Sequence, residues 1–108
     1  MASEIRTIIA DDESLGRKKL RILLAAEPGI HVVAECPDGP KTIAALRDYE
    51  PDLLLLDIQM PGSDGFEVLE SVPADRLPVV IFTRVITDFV HPSLRCPRCP
   101  AVAFRQLF

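Results

Sequence analysis

The chain has 108 residues, a formal net charge of −4 and a pI near 5.1, with 48% hydrophobic and 26% charged residues. That is the size of one small domain with one core, and the balance excludes collagen-like, mucin-like and disordered chains. Acidity argues against nucleic-acid binding by this chain, which needs a basic face for phosphate, and no apolar run approaches a membrane span.

Ile5–Ala10 is a short, β-branched apolar run closed by Asp11 and Asp12, and reads as a buried strand. From Glu13 to about Ala26 a helix is expected, with Leu15, Leu20, Leu23 and Leu24 spaced in threes and fours as on one face. Gly16 inside it costs up to about 1 kcal/mol against alanine, with no reason visible in the sequence. Pro28-Gly29 stops this helix, and Ile30–Glu35 is a second strand, with His31 as a surface residue on it. Asp38 stands as an N-cap and Pro40 near the first turn of a helix running to about Glu50, with Ile43 and Leu46 inward and Pro51 ending it.

Leu53–Leu56 runs into Asp57 between Pro51 and Pro61, a strand buried on both faces. A loop, Gln59 to Gly65, leads to a helix from Phe66 to about Val72. Met60 and Phe66 are assigned to packing. Pro78–Thr83 is a fourth strand, and Ala101–Phe104 offers a short fifth. Arg84–Phe108 otherwise lacks a clean helical face.

Strands without in/out alternation, separated by helices, define an α/β fold: a flavodoxin-like, doubly wound parallel sheet of order 2-1-3-4-(5), with an irregular C-terminal segment. In such sheets ligands bind beyond the carboxyl ends of the strands. The first strand ends at Asp11-Asp12 and its neighbour, the third, at Asp57, so three carboxylates from distant places in the chain meet at one edge. A divalent cation relieves their repulsion, and all-oxygen ligation suits Mg2+. An aspartate in that setting can carry a phosphoryl group covalently, and the carbonyl of Gln59 could complete the cation's shell. The plainer alternative is that Asp11 and Asp12 only cap a helix and Asp57 only ends a strand.

Ile9-Ala10-Asp11-Asp12-Glu13, Leu55-Leu56-Asp57-Ile58-Gln59-Met60-Pro61, Asp64-Gly65 and Pro78–Thr83 together resemble the receiver domain of bacterial two-component response regulators. The resemblance covers residues 4–83 of a single domain, 1–108. The wording around Ser14–Leu24 and Asp57–Leu69 is most similar to receivers that precede a LytTR-type DNA-binding domain. The resemblance implies Asp57 as phosphoacceptor, Asp12 as direct Mg2+ ligand with Asp11 beside it, the Gln59 main-chain carbonyl on the metal, and Thr83 as the switch hydroxyl. It implies a sensor histidine kinase or phosphotransfer protein as donor and no turnover on a separate substrate. The few cysteines make a reducing cytoplasm the default, and a sheet edge left bare by loss of the fourth helix and fifth strand would invite association into a homodimer.

Residues 84–108 depart from the family. The family ends its fifth strand with a lysine that pairs with the phosphoryl group, and this chain has lysine only at Lys18, Lys19 and Lys41. Arg105 is the cation of that segment that could reach the site, though arginine does not interchange with lysine, and Arg84 stands where a small residue is usual. A fourth strand one residue longer would put the switch position at Arg84. A one-nucleotide insertion near codon 90 would account for the divergence: suitable codons for His91–Cys99, less one nucleotide, read Ile-Arg-Ala-Phe-Asp-Val-His-Ala, close to the family's fourth helix.

Two rival readings are a degenerate receiver acting as a phosphate-independent binding or dimerisation module, and a small Mg2+-dependent phosphatase. The latter usually places a second aspartate where Gln59 stands. Cys96 and Cys99 with His91 make half a zinc site at most, and three cysteines make no disulfide framework. Arg17, Lys18, Lys19 and Arg21 read as a solvated helix face, with kinase docking as the functional alternative.

Overall fold

The computed structural model describes residues 4–58, 60, 65–84 and 102–104. Its elements are β1 (Ile5–Ala10), α1 (Ser14–Ala25), β2 (Ile30–Cys36), α2 (Gly39–Tyr49), β3 (Leu53–Asp57), α3 (Gly65–Glu70), a 3-10 turn at Ala74–Arg76, β4 (Val79–Arg84) and β5 (Val102–Phe104). The strands form a parallel sheet in the order β2-β1-β3-β4-β5, as expected.

Alternate residues of the central strands feed two cores. Ile8, Ala10, Leu54, Leu56, Val80 and Phe82 face α2 and α3, and meet Leu46, Phe66, Val68 and Leu69 there. Phe66 and Phe82 pack with ring centroids 5.3 Å apart. On the other face Ile9 and Leu55 meet Leu20 of α1. Burial on both faces is why the leucine run of β3 is a strand despite its modest strand propensity. Met60 and Phe66 are buried in the larger core, as read from sequence.

Helix α1 departs from its expected face. Leu20 is buried and Leu24 half-buried, but Leu15 is 59% exposed and Leu23 50%. The stripe that meets the sheet is Gly16, Leu20 and Leu24, and positions 15, 22 and 23 turn outward. Helix α2 begins as read: the Asp38 carboxylate accepts from the Lys41 N–H at 2.8 Å. It ends on Glu50 in the left-handed conformation, φ 46°, one residue before Pro51. The third helix is shorter than expected, stopping at Glu70, and a 3-10 turn follows Pro73. Gly29, at φ 95°, turns the chain into β2 and accepts from the Ile5 N–H through its carbonyl, which fixes the start of the β1–β2 pair. His31 lies exposed on β2, as expected.

Candidate functional site

The sheet register builds the site. β1 pairs with β3 with Ala10 opposite Leu56, so Asp11 and Asp57 follow side by side at the carboxyl edge. Asp57 is fully buried and Asp11 is 2% exposed, while Asp12 faces solvent. One carboxylate oxygen from each of the three lies within 4.8 Å of the others. Three anions at that separation repel strongly in a part-buried setting.

Each carboxylate has a local cause for its place. The Asp11 N–H donates to the Cys36 carbonyl at 3.0 Å, continuing the β1–β2 ladder past its end. Asp11 Oδ1 accepts from the Glu13 N–H at 2.9 Å, and the Asp11 carbonyl accepts from Arg17 Nη1 at 2.6 Å. Arg17 is thus part of the site's frame and leaves the solvated face assigned to it from sequence. Arg21 is likewise engaged, pairing with Glu35 of β2 at 2.8 Å. On the other side of the cluster, the Gly65 N–H donates to the Ile58 carbonyl at 2.7 Å, closing the loop that begins after Asp57.

The β3–β4 pair slips at its end. Leu56 is opposite Phe82, but Asp57 is opposite Arg84, so Thr83 is an extra residue in a bulge. Thr83 is 2% exposed, and its Oγ1 has no hydrogen-bond partner among the described residues. β4 does run one residue further than read, to Arg84. A buried hydroxyl beside the acidic end of β3 is a polar group awaiting an acceptor. Cys36 is buried at the end of β2, where desolvation pushes its thiol above the ordinary range, partly offset by a hydrogen bond with Thr42.

Gln59, Arg105, His91, Cys96, Cys99 and the segment assigned to a shifted reading frame lie outside the described residues. Sequence reading named Gly16 and Gly65 but gave neither a place in the site. A Cβ on Gly16 would stand 2.6 Å from Asp11 Oδ2, and one on Gly65 would stand 2.9 Å from the Asp57 carbonyl oxygen. The signal for the first was present in the sequence, as an unexplained glycine in the first turn of a helix just after the acidic pair.

A parallel sheet with buried and exposed acids converging at its carboxyl edge defines an acidic-pocket α/β module suited to a divalent cation and a phosphoryl group. The response regulator receiver domain family matches residues 7–92, and the chain belongs to that family, the receiver modules of two-component signalling. It is 36% identical over 85 residues to the transcriptional regulatory protein BtsR of Salmonella typhi, covering 79% of this chain and 36% of that protein. It is also 36% identical over 102 residues to a protein-glutamate methylesterase/protein-glutamine glutaminase of Anaeromyxobacter dehalogenans, covering 94% of this chain and 28% of that one. The chain therefore spans about a third of the length of these relatives. Among solved structures, the response regulator domain of Thermotoga maritima CheB superposes with a TM-score of 0.82 at 26% identity, covering 95% of this chain and 78% of that one. No helix among the described residues is long and apolar enough to cross a membrane.

Proposed function

We propose that this chain is a phosphorylatable receiver in which Asp57 accepts a phosphoryl group from a phosphohistidine of a sensor histidine kinase or phosphotransfer protein. The observation that carries this reading is the convergence of Asp11, Asp12 and Asp57 within 4.8 Å at the carboxyl edge of the sheet. Their all-oxygen donor set fits Mg2+, with the Gln59 main-chain carbonyl as a further ligand. Bound there, the cation supplies charge neutralisation and orientation for the transferring group.

The chain's own residues do the rest. An Asp57 carboxylate oxygen attacks phosphorus in line, the phosphorus–nitrogen bond to the donor imidazole breaks, and the imidazole departs with the electron pair. Asp11 holds its place through Glu13 and Arg17. The buried Thr83 hydroxyl then finds its acceptor in the new phosphoryl oxygens, which biases a two-state equilibrium. We read the chain as one domain over 1–108, cytoplasmic, without turnover on a separate substrate and without nucleic-acid contacts of its own. We assign it to the receivers that precede LytTR-type output domains, and name a second copy of the chain as a candidate partner. Lys18, Lys19 and Arg21 on α1 are exposed basic positions for a kinase to meet, Arg21 while paired with Glu35.

The test is the intact mass of the purified chain after incubation with a small acyl phosphate, with and without Mg2+, beside Asp57→Asn. One phosphoryl group gained only with Mg2+ and only by the wild type is the expected result. No gain by a folded sample moves the chain to the degenerate receiver, a binding module that has lost its switch with the strand-end lysine.

A further inference from the structure

Glycine is among the poorest helix formers, and Gly16 sits in the first turn of α1 with an ordinary helical backbone. Its surroundings explain it. A Cβ there would stand 2.6 Å from Asp11 Oδ2, 3.1 Å from Cγ and 3.3 Å from Oδ1, well inside contact distance. The Asp11 side chain has little freedom to retreat. Its Oδ1 accepts from the Glu13 N–H, its carbonyl from Arg17, and its own N–H is bound to Cys36. Nor can α1 lift off, because Leu20, one turn on, is fully packed against Ile9 and Leu55.

We propose that Gly16 is a positioning residue for Asp11: the missing Cβ lets α1 close over the end of β1 while the Asp11 carboxylate stays within reach of Asp12 and Asp57. The inference rests on reading that cluster as a Mg2+ site. It assigns the metal-binding geometry in part to a residue that carries no donor atom. Outer-shell groups that orient a ligand typically change metal affinity by about 10- to 100-fold when altered.

The experiment compares the wild-type chain with Gly16→Ala. Mg2+ affinity of the unphosphorylated protein is measured by titration calorimetry, and fold by far-UV circular dichroism. The expected result is a folded variant that binds Mg2+ about tenfold or more weakly and is phosphorylated normally once Mg2+ is raised in proportion. A second measurement needs no metal. In chelator, Gly16→Ala lowers the thermal midpoint of the wild type but raises that of an Asp11→Ala chain, where the clash is gone and only helix propensity remains. Equal Mg2+ affinity in wild type and variant overturns the inference, as does the same midpoint shift in both backgrounds. If Gly16→Ala alone fails to fold, rescue by Asp11→Ala supports the inference and lack of rescue overturns it. A wild-type chain that binds no Mg2+ overturns the reading of the cluster, and this inference with it.

Discussion

Thr83 places a hydroxyl where folding alone has no use for one. Burying a polar group without a partner costs about 1–3 kcal/mol, and valine has the same shape without the hydroxyl. Thr83→Val is therefore expected to hold or raise stability by about 1 kcal/mol in urea unfolding. Asp57 should still be phosphorylated, but the difference in amide hydrogen exchange between the phosphorylated and unphosphorylated chain should shrink. A variant destabilised in urea would show that the hydroxyl is already satisfied in the resting state. Gly65 works the other way. Its Cβ would meet two backbone atoms, the Asp57 carbonyl oxygen at 2.9 Å and Ile58 Cα at 3.1 Å, and neither can rotate aside. Gly65→Ala is expected to cost about 1–3 kcal/mol, as overpacking does, and to slow phosphorylation by moving the acceptor's own backbone. Equal stability and rate in the two proteins would show that the loop yields at no cost. Cys36 carries a pH dependence. Burial raises its thiol pKa in the fold, so its contribution is fully present below about pH 8.5 and is lost progressively as pH rises from there through the folded value. Cys36→Ala should flatten the alkaline side of the stability profile; an unchanged slope there would sink this.

At the scale of elements, the start of α2 was legible because its signals are local. Asp38 caps through the Lys41 N–H at 2.8 Å, and Pro40 falls in the first turn, where its missing N–H costs nothing. Asp38→Ala is expected to lower unfolding free energy by about 1 kcal/mol, read from a denaturant midpoint at unchanged slope. No shift would mean that the Thr42 hydroxyl, which donates to the Asp38 carbonyl at 2.7 Å, suffices to hold the turn. The face of α1 was not legible. Its leucines and isoleucine surround the helix too evenly for spacing to choose, and the deciding residue is Gly16, whose value is only visible beside Asp11. The 3-10 turn at Ala74–Arg76 carries no periodic apolar pattern and so left no trace in the sequence. Arg17 read as solvated because sequence spacing shows neighbours along a helix, not a carbonyl at the end of the preceding strand.

Across the whole molecule, the sheet order was legible from the alternation of elements, and the site followed from it, because neighbouring parallel strands must end side by side. The slip at Thr83 was legible only as an alternative, a fourth strand one residue longer, since a shift in register changes pairing without changing composition. The same topology forces a cost: the fold can close only by bringing Asp11, Asp12 and Asp57 together. In metal-free buffer, Asp12→Asn should therefore raise the thermal midpoint, by relieving like-charge repulsion at the exposed member of the cluster. With Mg2+ the order should reverse. A ligand that binds the folded chain alone adds RT ln(1 + [L]/Kd), about 1.1 kcal/mol at five times Kd. For a domain this size that is a rise of roughly 4–8 °C in the wild type, and the variant, short of one ligand, should rise less. Differential scanning calorimetry with chelator and with Mg2+ reads all four midpoints. Parallel shifts in both proteins would mean that Mg2+ acts elsewhere on the surface; opposite rankings in the two buffers place the repulsion and its relief at the same three carboxylates.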